Sequence, residues 1–109
     1  MANFLPLKKD GEFRKIYKLG KSKATKNIVV YYLKTDKTSF PKVGFVASKK
    51  VGKAVTRNKY RRIMKEAFKS IPDFTGYNLI ILARPKIVES DYNAIHKDIN
   101  FLLKRHKIL

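Results

Sequence analysis

The sequence predicts one α/β domain over residues 1–109, in which a small mixed sheet packs against helices as a two-layer sandwich. Segments rich in β-branched and aromatic residues, typical of strands, alternate with segments whose apolar residues recur at helical spacing. A chain of 109 residues suits a single domain, and a hydrophobic content of 44% supports a modest core rather than disorder. The predicted order of elements is α-β-β-α-β-α.

The first element is a short helix, predicted over residues 10–19. Phe13, Ile16 and Tyr17 fall at positions i, i+3 and i+4, so they share one helical face. Gly20 is a plausible stop signal for this helix. Phe13 and Tyr17 fit either the core or a surface on which bases stack, and the sequence leaves both interpretations open.

Two strands follow the first helix. Residues 27–33 (NIVVYYL) and 42–48 (KVGFVAS) have strand composition and flank a polar turn, so we expect them to pair as a hairpin. Tyr31 and Tyr32 are neighbours on the first strand and therefore point to opposite faces of the sheet. One of these rings can be core while the other lines a surface.

The second half of the chain predicts a helix, a strand and a helix. Thr56 is the expected N-cap of a long helix that ends near residue 70. Residues 77–84 (YNLIILAR) form an apolar run typical of a central strand covered on both faces. Ser90 or Asp91 is expected to cap a last helix that ends near residue 106. Its predicted apolar stripe is formed by Tyr92, Ile95, Ile99, Leu102, Leu103 and His106. The long helix is expected to connect two strands of one sheet. Such crossover connections are right-handed in most proteins, so we expect a right-handed crossover here.

Positive charge dominates the composition. The chain has 26 lysines and arginines against 8 acids, a net charge of +18 and a pI near 10.3. Like charge at this density costs self-repulsion, which a polyanionic partner relieves by releasing counterions. The candidate partners are nucleic acid, an anionic membrane surface and an acidic protein. Solubility alone is the remaining alternative.

The sequence argues against cysteine chemistry and against a membrane-spanning segment. The sequence has no cysteine, which rules out disulfides and thiolate metal sites and fits a reducing compartment. No apolar run approaches the roughly 18 residues of a membrane span, and the N-terminus lacks the order of a signal peptide. We therefore expect a cytoplasmic protein that does not insert into membranes.

The charge concentrates on the predicted long helix and on the residues before it. Residues 49–68 (KKVGKAVTRNKYRRIMKEAF) carry eight cations and one acid. One stripe of this helix is apolar and predicted to be core. Its members are Tyr60, Ile63, Met64, Ala67, Phe68 and Ile71. A second stripe holds Arg57, Arg61, Lys65 and Lys69 at i, i+4 spacing.

This cationic stripe opposes helix formation. Like charges at i, i+4 destabilise an isolated helix by roughly 0.2–0.5 kcal/mol per pair. Arg57 and Lys59 lie near the N-terminus, where positive charge opposes the helix dipole. The cationic stripe is therefore better explained by a ligand that neutralises its charge than by a contribution to helix stability. Asn58 and Arg62 lie beside the stripe, and Asn58 could orient a phosphate, a sugar or a metal-bound water.

The residues before the helix add to this candidate site. Lys49, Lys50 and Lys53 precede a helix N-terminus whose free amides can meet a phosphate. Gly52 permits a close backbone approach or a positive φ. The pattern of cations around a helix N-terminus indicates a phosphate-binding surface.

No nuclease centre is visible in the sequence. The acids are scattered, whereas two-metal phosphodiester chemistry needs carboxylates gathered around ions about 3.5–4 Å apart. His96 and His106 lie about three helical turns apart, too far for one metal site, and are expected at the surface or in a cap. A hydrolytic centre would have to come from a partner.

The segment from residue 48 to residue 66 resembles the signature of the bacterial ribonuclease P protein component, the small basic partner of a catalytic RNA. That family carries R-N-R-x-K-R-x-x-R-E after SKK-x-G-x-AV, and this chain reads SKKVGKAV and then RNKYRRIMKE after one threonine. Lys59 and Lys65 replace arginine, and Arg61 replaces lysine. The guanidinium group, which can bind a phosphate through two hydrogen bonds, is therefore lost at two positions and gained at one. The stretches EFRKIYKLGKS, VVYYL, VGFVASKK and LIILARP extend the resemblance over nearly all of residues 4–106.

The resemblance implies both a fold and a function. The fold would contain a left-handed crossover through the basic helix, in place of the right-handed one expected above. The function would be that of a ribonuclease P subunit, which assists the catalytic RNA and its magnesium ions in removing the 5′ leader from precursor tRNA. The protein would act as a monomer in the ribonucleoprotein.

The resemblance also implies site residues. Phe13, Tyr17 and Tyr31 would face the single-stranded leader. The residues implied to bind the RNA subunit, or the substrate near the cleavage site, are Lys49, Lys50, Lys53, Arg57, Asn58, Lys59, Arg61, Arg62 and Lys65.

Two alternative functions remain at this point. A structural RNA-binding protein of ribosomal type would share the charge and the fold class but would not need aromatic residues that face a leader. An independent nuclease would cut precursor tRNA without an RNA subunit.

Overall fold

The computed structural model describes residues 3–36 and 38–109. The strands are β1 (Leu5–Pro6), β2 (Lys21–Ala24), β3 (Ile28–Lys34), β4 (Lys42–Ala47) and β5 (Tyr77–Ala83). The helices are α1 (Asp10–Leu19), α2 (Ala54–Lys69) and α3 (Tyr92–Arg105), and a 3₁₀ turn spans Pro85–Glu89. The predicted α/β class is confirmed. No helix within the described ranges has the length and apolar character needed to cross a membrane.

The sheet has five strands in the order β1-β4-β5-β3-β2. The predicted hairpin between β3 and β4 is wrong, because β5 lies between them, antiparallel to β3 and parallel to β4. Leu79 of β5 pairs with Tyr32 on one side and Val43 on the other. Since Leu79, Ile80 and Ile81 are completely buried, β5 takes the central position, where both of its faces are covered.

Helix α2 connects the parallel strands β4 and β5. This βαβ unit is consistent with the left-handed crossover implied by the resemblance, so the general right-handed expectation yields to it. The crossover places α2 against the sheet face that also carries α3.

The two faces of the sheet are covered unequally. Helices α2 and α3 bury a large cluster that includes Met64, Phe68 and Leu103. On the opposite face, α1 covers only part of the sheet, in a small cluster around Ile16 and Ile80. Tyr31 and Tyr32 point to opposite faces, as predicted, and both rings are half-buried. Part of the α1 side of the sheet therefore remains open.

The helices begin and end close to the predicted positions, with one correction. Helix α2 begins at Ala54 with Lys53 as N-cap, so Thr56 lies inside the helix and does not cap it. Asp91 caps α3 as expected, because its side chain accepts a hydrogen bond from the Ala94 N–H. His106 is the C-cap of α3, in agreement with its predicted place at the surface or in a cap.

The predicted apolar stripes are largely confirmed. In α2, Tyr60, Met64 and Phe68 are buried and Ile63 is half-buried. In α3, Tyr92 was also expected on the apolar stripe, but it is exposed and exchanges a 2.9 Å hydrogen bond with Ser70. It occupies the first turn of α3, beside the C-cap of α2.

Candidate nucleic-acid interface

The loop before α2 is held in a fixed position. Val51 is buried, and its N–H donates to the Ser48 carbonyl at 3.0 Å. Gly52 has a φ of 152°, a conformation that residues with a side chain rarely adopt, so its predicted positive φ is confirmed. This geometry turns the chain into α2 while Lys49 and Lys50 remain exposed. The two lysines are thus presented on a rigid turn.

The N-terminus of α2 lacks the groups that normally stabilise a helix start. The side chain of the N-cap, Lys53, accepts no capping hydrogen bond, and the first turn contains no acid. The backbone amides and the dipole at this end therefore face cations instead of carboxylates. An anion bound here would supply the missing negative charge.

Arg57 and Asn58 show how the outer face of α2 is arranged. The Nε of Arg57 is buried and has no hydrogen-bond partner among the described residues. An unsatisfied buried donor is costly, and a bound phosphate oxygen would satisfy it. The Asn58 Oδ1 accepts a hydrogen bond from a terminal guanidinium nitrogen of Arg61. Asn58 therefore orients Arg61.

The aromatic residues form a platform on the α1 side of the sheet. The ring of Phe13 lies directly over Gly44 of β4, where a Cβ atom would come within 2.6 Å of the ring. Only glycine at position 44 allows this close approach. Further along α1, the ring of Tyr17 meets that of Tyr31 edge to face, with centroids 4.8 Å apart. Tyr17 is 42% exposed, and its partial burial raises the pKa of its phenol.

A cleft connects Phe13 of the platform with α2. It has a volume of about 430 Å³ and lies at the edge of the sheet formed by β1 and β4. One wall contains Phe13 and Gly44, and the other contains Arg61, Arg62 and Lys65. Strand β1 has only two residues, which leaves this edge open. Phe13 and the basic face of α2 therefore share one cleft, whereas Tyr17 and Tyr31 do not line it.

Not all of the predicted residues gather in this cleft. Lys59 lies on the other side of α2, with its Nζ 5.5 Å from the centre of the Tyr60 ring. There it lines a second depression with Lys26 and Lys86. The basic surface of α2 thus faces two sides, of which only one adjoins the aromatic platform.

Two contributors to the site were missed by sequence reasoning. Gly44 gives Phe13 its position, and an isolated glycine inside a strand was a usable signal of close backbone approach. The other is the ion pair between Glu12 and Lys42, 2.8 Å long, which attaches α1 to β4. The hydrogen bond from the Lys42 ammonium lowers the pKa of the Glu12 carboxyl, against a smaller opposing effect of burial.

Several acids of the described residues make structural contacts. Asp98 accepts hydrogen bonds from Thr25 at 2.8 Å and Asn27 at 2.9 Å, and Asp91 caps α3. Within residues 3–36 and 38–109, no three acids or histidines are grouped so that they could hold a metal ion. This arrangement does not resemble a two-metal nuclease centre.

Comparisons with known proteins agree with this geometry. The family model "Ribonuclease P" matches residues 1–107. The ribonuclease P protein component of Clostridioides difficile is 46% identical over 105 residues, which cover 94% of this chain and 91% of that protein. The corresponding protein of Natranaerobius thermophilus is 38% identical, and the match covers 100% of this chain and 96% of that protein.

Solved structures give the same answer. The ribonuclease P protein of Staphylococcus aureus superposes with a TM-score of 0.81 at 32% identity, covering 99% of this chain and 98% of that one. The ribonuclease P protein of Thermotoga maritima gives a TM-score of 0.79 at 30% identity, covering 92% and 96%. By sequence and by fold, this chain belongs to the ribonuclease P protein family.

Proposed function

We propose that the chain is the protein subunit of ribonuclease P and assists a catalytic RNA in removing the 5′ leader from precursor tRNA. The observation that carries this proposal is the cleft at the β1–β4 edge. It joins Phe13, on a surface suited to unpaired bases, to Arg61 and Arg62, on a surface suited to phosphates. A substrate with a single-stranded end attached to a folded RNA needs both surfaces at once.

The aromatic platform is proposed to bind the leader. Phe13, Tyr17 and Tyr31 would contact its bases, because stacking on aromatic rings is tolerant of sequence and leaders differ among precursors. The fixed contact of Phe13 with Gly44 and of Tyr17 with Tyr31 limits the entropy lost on binding.

The basic surface is proposed to bind the RNA subunit and the substrate near the cleavage site. The unpartnered Arg57 Nε and the oriented Arg61 guanidinium are donors suited to phosphate oxygens. The full set proposed for this role is Lys49, Lys50, Lys53, Arg57, Asn58, Lys59, Arg61, Arg62 and Lys65.

The catalytic centre is proposed to lie in the RNA, with magnesium ions bound mainly there. The placement of the acids supports this, since Glu12, Asp91 and Asp98 are engaged in structural contacts and lie on separate elements. We further propose that one copy of the chain acts in each ribonucleoprotein, in the cytoplasm. A structural RNA-binding protein of ribosomal type is not favoured, because the relatives and structural neighbours are ribonuclease P proteins.

Reconstitution tests the proposed function. The protein is added to a bacterial ribonuclease P RNA at a magnesium concentration too low for the RNA alone, and cleavage of a precursor tRNA is followed. We expect restored removal of the leader, and no cleavage by the protein without the RNA. Cleavage by the protein alone would show an independent nuclease and contradict the proposal.

Leader recognition has its own test. Phe13→Ala and Tyr17→Ala should weaken binding of precursor tRNA to the assembled holoenzyme by roughly fivefold or more, the usual contribution of one stacked base. Binding of mature tRNA should change little. Tyr92→Ala is a matched control, because Tyr92 has a similar exposed fraction, 39%, and lies on α3. Equal losses for precursor and mature tRNA would count against a leader site.

A further inference from the structure

A second surface that combines an aromatic ring with cations lies on the outer side of α3. We call it the α3 patch, and it consists of Lys97, Asn100, Phe101, Lys104 and Arg105. Lys97, Phe101 and Arg105 are spaced i, i+4 and i+8, so they form one row along the helix. This row faces away from Ile99 and Leu103, which are buried against the sheet.

Phe101 is not explained by folding. Its side chain is 54% exposed, and no aromatic ring among the described residues contacts it. The buried stripe of α3 is complete without it, since Ile95, Ile99 and Leu103 already fill the core side. A polar residue would serve better at this position if the helix only covered the sheet.

The cations of the patch have no acidic partner in the described part of the chain. The ion pairs among the described residues join Lys42 to Glu12, Lys69 to Glu66 and Lys86 to Glu89, and none involves the patch. The acid nearest in sequence, Asp98, is directed toward Thr25 and Asn27. The α3 patch therefore presents uncompensated positive charge around an exposed ring.

The α3 patch is separate from the surface described above. It shares no residue with the cleft at the β1–β4 edge. Helix α3 lies on the opposite face of the sheet from α1 and the aromatic platform. One strand of leader RNA on the platform cannot also lie across this patch without passing around the domain.

We propose that the α3 patch is a second RNA-contact surface, which binds an unpaired nucleotide of the ribonuclease P RNA. The base stacks on Phe101, and Lys97, Lys104 and Arg105 contact the neighbouring phosphates. An acidic peptide would use the cations but not the ring. A membrane surface would need a wider apolar stripe, and that of α3 is buried. The proposal relies on the proposed function for the identity of the RNA.

Photocrosslinking in the reconstituted holoenzyme tests the contact. Phe101→p-benzoylphenylalanine should crosslink to the ribonuclease P RNA, whereas the same replacement at the exposed Tyr92 of α3 should not. A crosslink of position 101 only to precursor tRNA, or only to a second copy of the protein, would overturn the proposal. So would the absence of any crosslink in a holoenzyme that cleaves its substrate, and that result would leave the proposed function standing.

Affinity measurements separate stacking from general apolar contact. Phe101→Ala should weaken binding to the RNA by roughly fivefold or more. Phe101→Tyr should restore affinity, and Phe101→Leu should not, because leucine has no ring. Since the side chain is exposed, these variants should fold as the parent does, which circular dichroism can check. Unchanged affinity in Phe101→Ala, or full rescue by leucine, would contradict stacking.

Salt dependence tests the phosphate contacts. Lys97→Ala should lower the magnitude of the salt slope of RNA binding by about 0.7–0.9, the value for one lost phosphate contact. Lys86→Ala is a control with the same loss of charge at a lysine that is paired with Glu89 at 3.5 Å. Equal slopes for Lys97→Ala and the parent protein would contradict the proposal.

Discussion

Helices α2 and α3 pack on the same face of the sheet, yet their ends are built differently. Asp91 caps α3, and Lys104 and Arg105 lie in its last turn, where cations favour the helix dipole. Helix α2 starts at Lys53 without a capping side chain, has no acid in its first turn and carries Arg57 and Lys59 near that end. Folding requirements account for the capped N-terminal end of α3, whereas the N-terminal end of α2 is better explained by a bound polyanion.

The largest expected effects concern the inner faces, where the two helices should behave alike. Phe68 of α2 and Leu103 of α3 are completely buried in one cluster. Phe68→Ala should lower the free energy of unfolding by about 3–5 kcal/mol and Leu103→Ala by about 2–5 kcal/mol, measured by urea denaturation. Val55→Ala, at an exposed position of α2, is the control. A small effect of Phe68→Ala would mean that the inner face of α2 is not core.

The outer face of α2 should contribute to RNA binding rather than to stability. Arg61→Ala should weaken binding to the ribonuclease P RNA by about tenfold and reduce the salt slope by roughly one, because one phosphate contact is lost. The unfolding free energy should change little. Titration at several salt concentrations measures both quantities, with Lys86→Ala as the charge-matched control. An unchanged slope would mean that this face of α2 does not touch phosphate.

A smaller effect is expected at the N-terminus of α3. Asp91→Ala removes the acceptor of the 3.0 Å hydrogen bond from the Ala94 N–H. The expected loss of stability is about 1 kcal/mol, the usual value for a cap. Asp91→Asn should keep most of that stability, since asparagine also caps. Thermal unfolding of both variants checks this, and equal losses would show that the cap is not what matters at this position.

The smallest effect concerns α1, which is attached through the partly exposed pair of Glu12 and Lys42. Folding lowers the pKa of Glu12 below its ordinary value of 4.5. The ion pair therefore contributes to the free energy of unfolding above pH 4.5, and this contribution is lost as the pH falls through the pKa of the folded state. The contribution should stay within about 1 kcal/mol. Glu12→Gln should flatten stability against pH in this acid range, and an unchanged acid profile would contradict the role of the pair.

The sequence predicted those parts of the fold that depend on local patterns. The stripes of α2 and α3 and the central position of β5 follow from periodicity and from an unbroken apolar run. The sequence did not predict β1, because this strand has only two residues and one of them is Pro6. It did not predict β2 either, because all side chains of β2 are exposed and show no alternation. The hairpin prediction failed because pairing of β5 between β3 and β4 depends on long-range burial.

The same distinction applies to the site. Spacing alone placed Arg57, Arg61 and Lys65 on one face, and adjacency on a strand placed Tyr31 opposite Tyr32. The shared cleft of Phe13 and Arg61 could not be predicted, because it depends on how α1 and α2 meet the open β1–β4 edge from opposite sides of the sheet. The start of α2 was misplaced because the cap rule expects an acceptor side chain, and Lys53 has none to offer.

We propose that RNA binding, and not folding, explains the basic N-terminal end of α2. Lys53→Asp tests it most directly, because an acid at the N-cap should stabilise the free protein and repel phosphate at the same time. We expect the free energy of unfolding to rise by about 0.5–1 kcal/mol and the affinity for the ribonuclease P RNA to fall. A variant that gains no stability, or that gains it and still binds the RNA as tightly as the parent, would contradict the account.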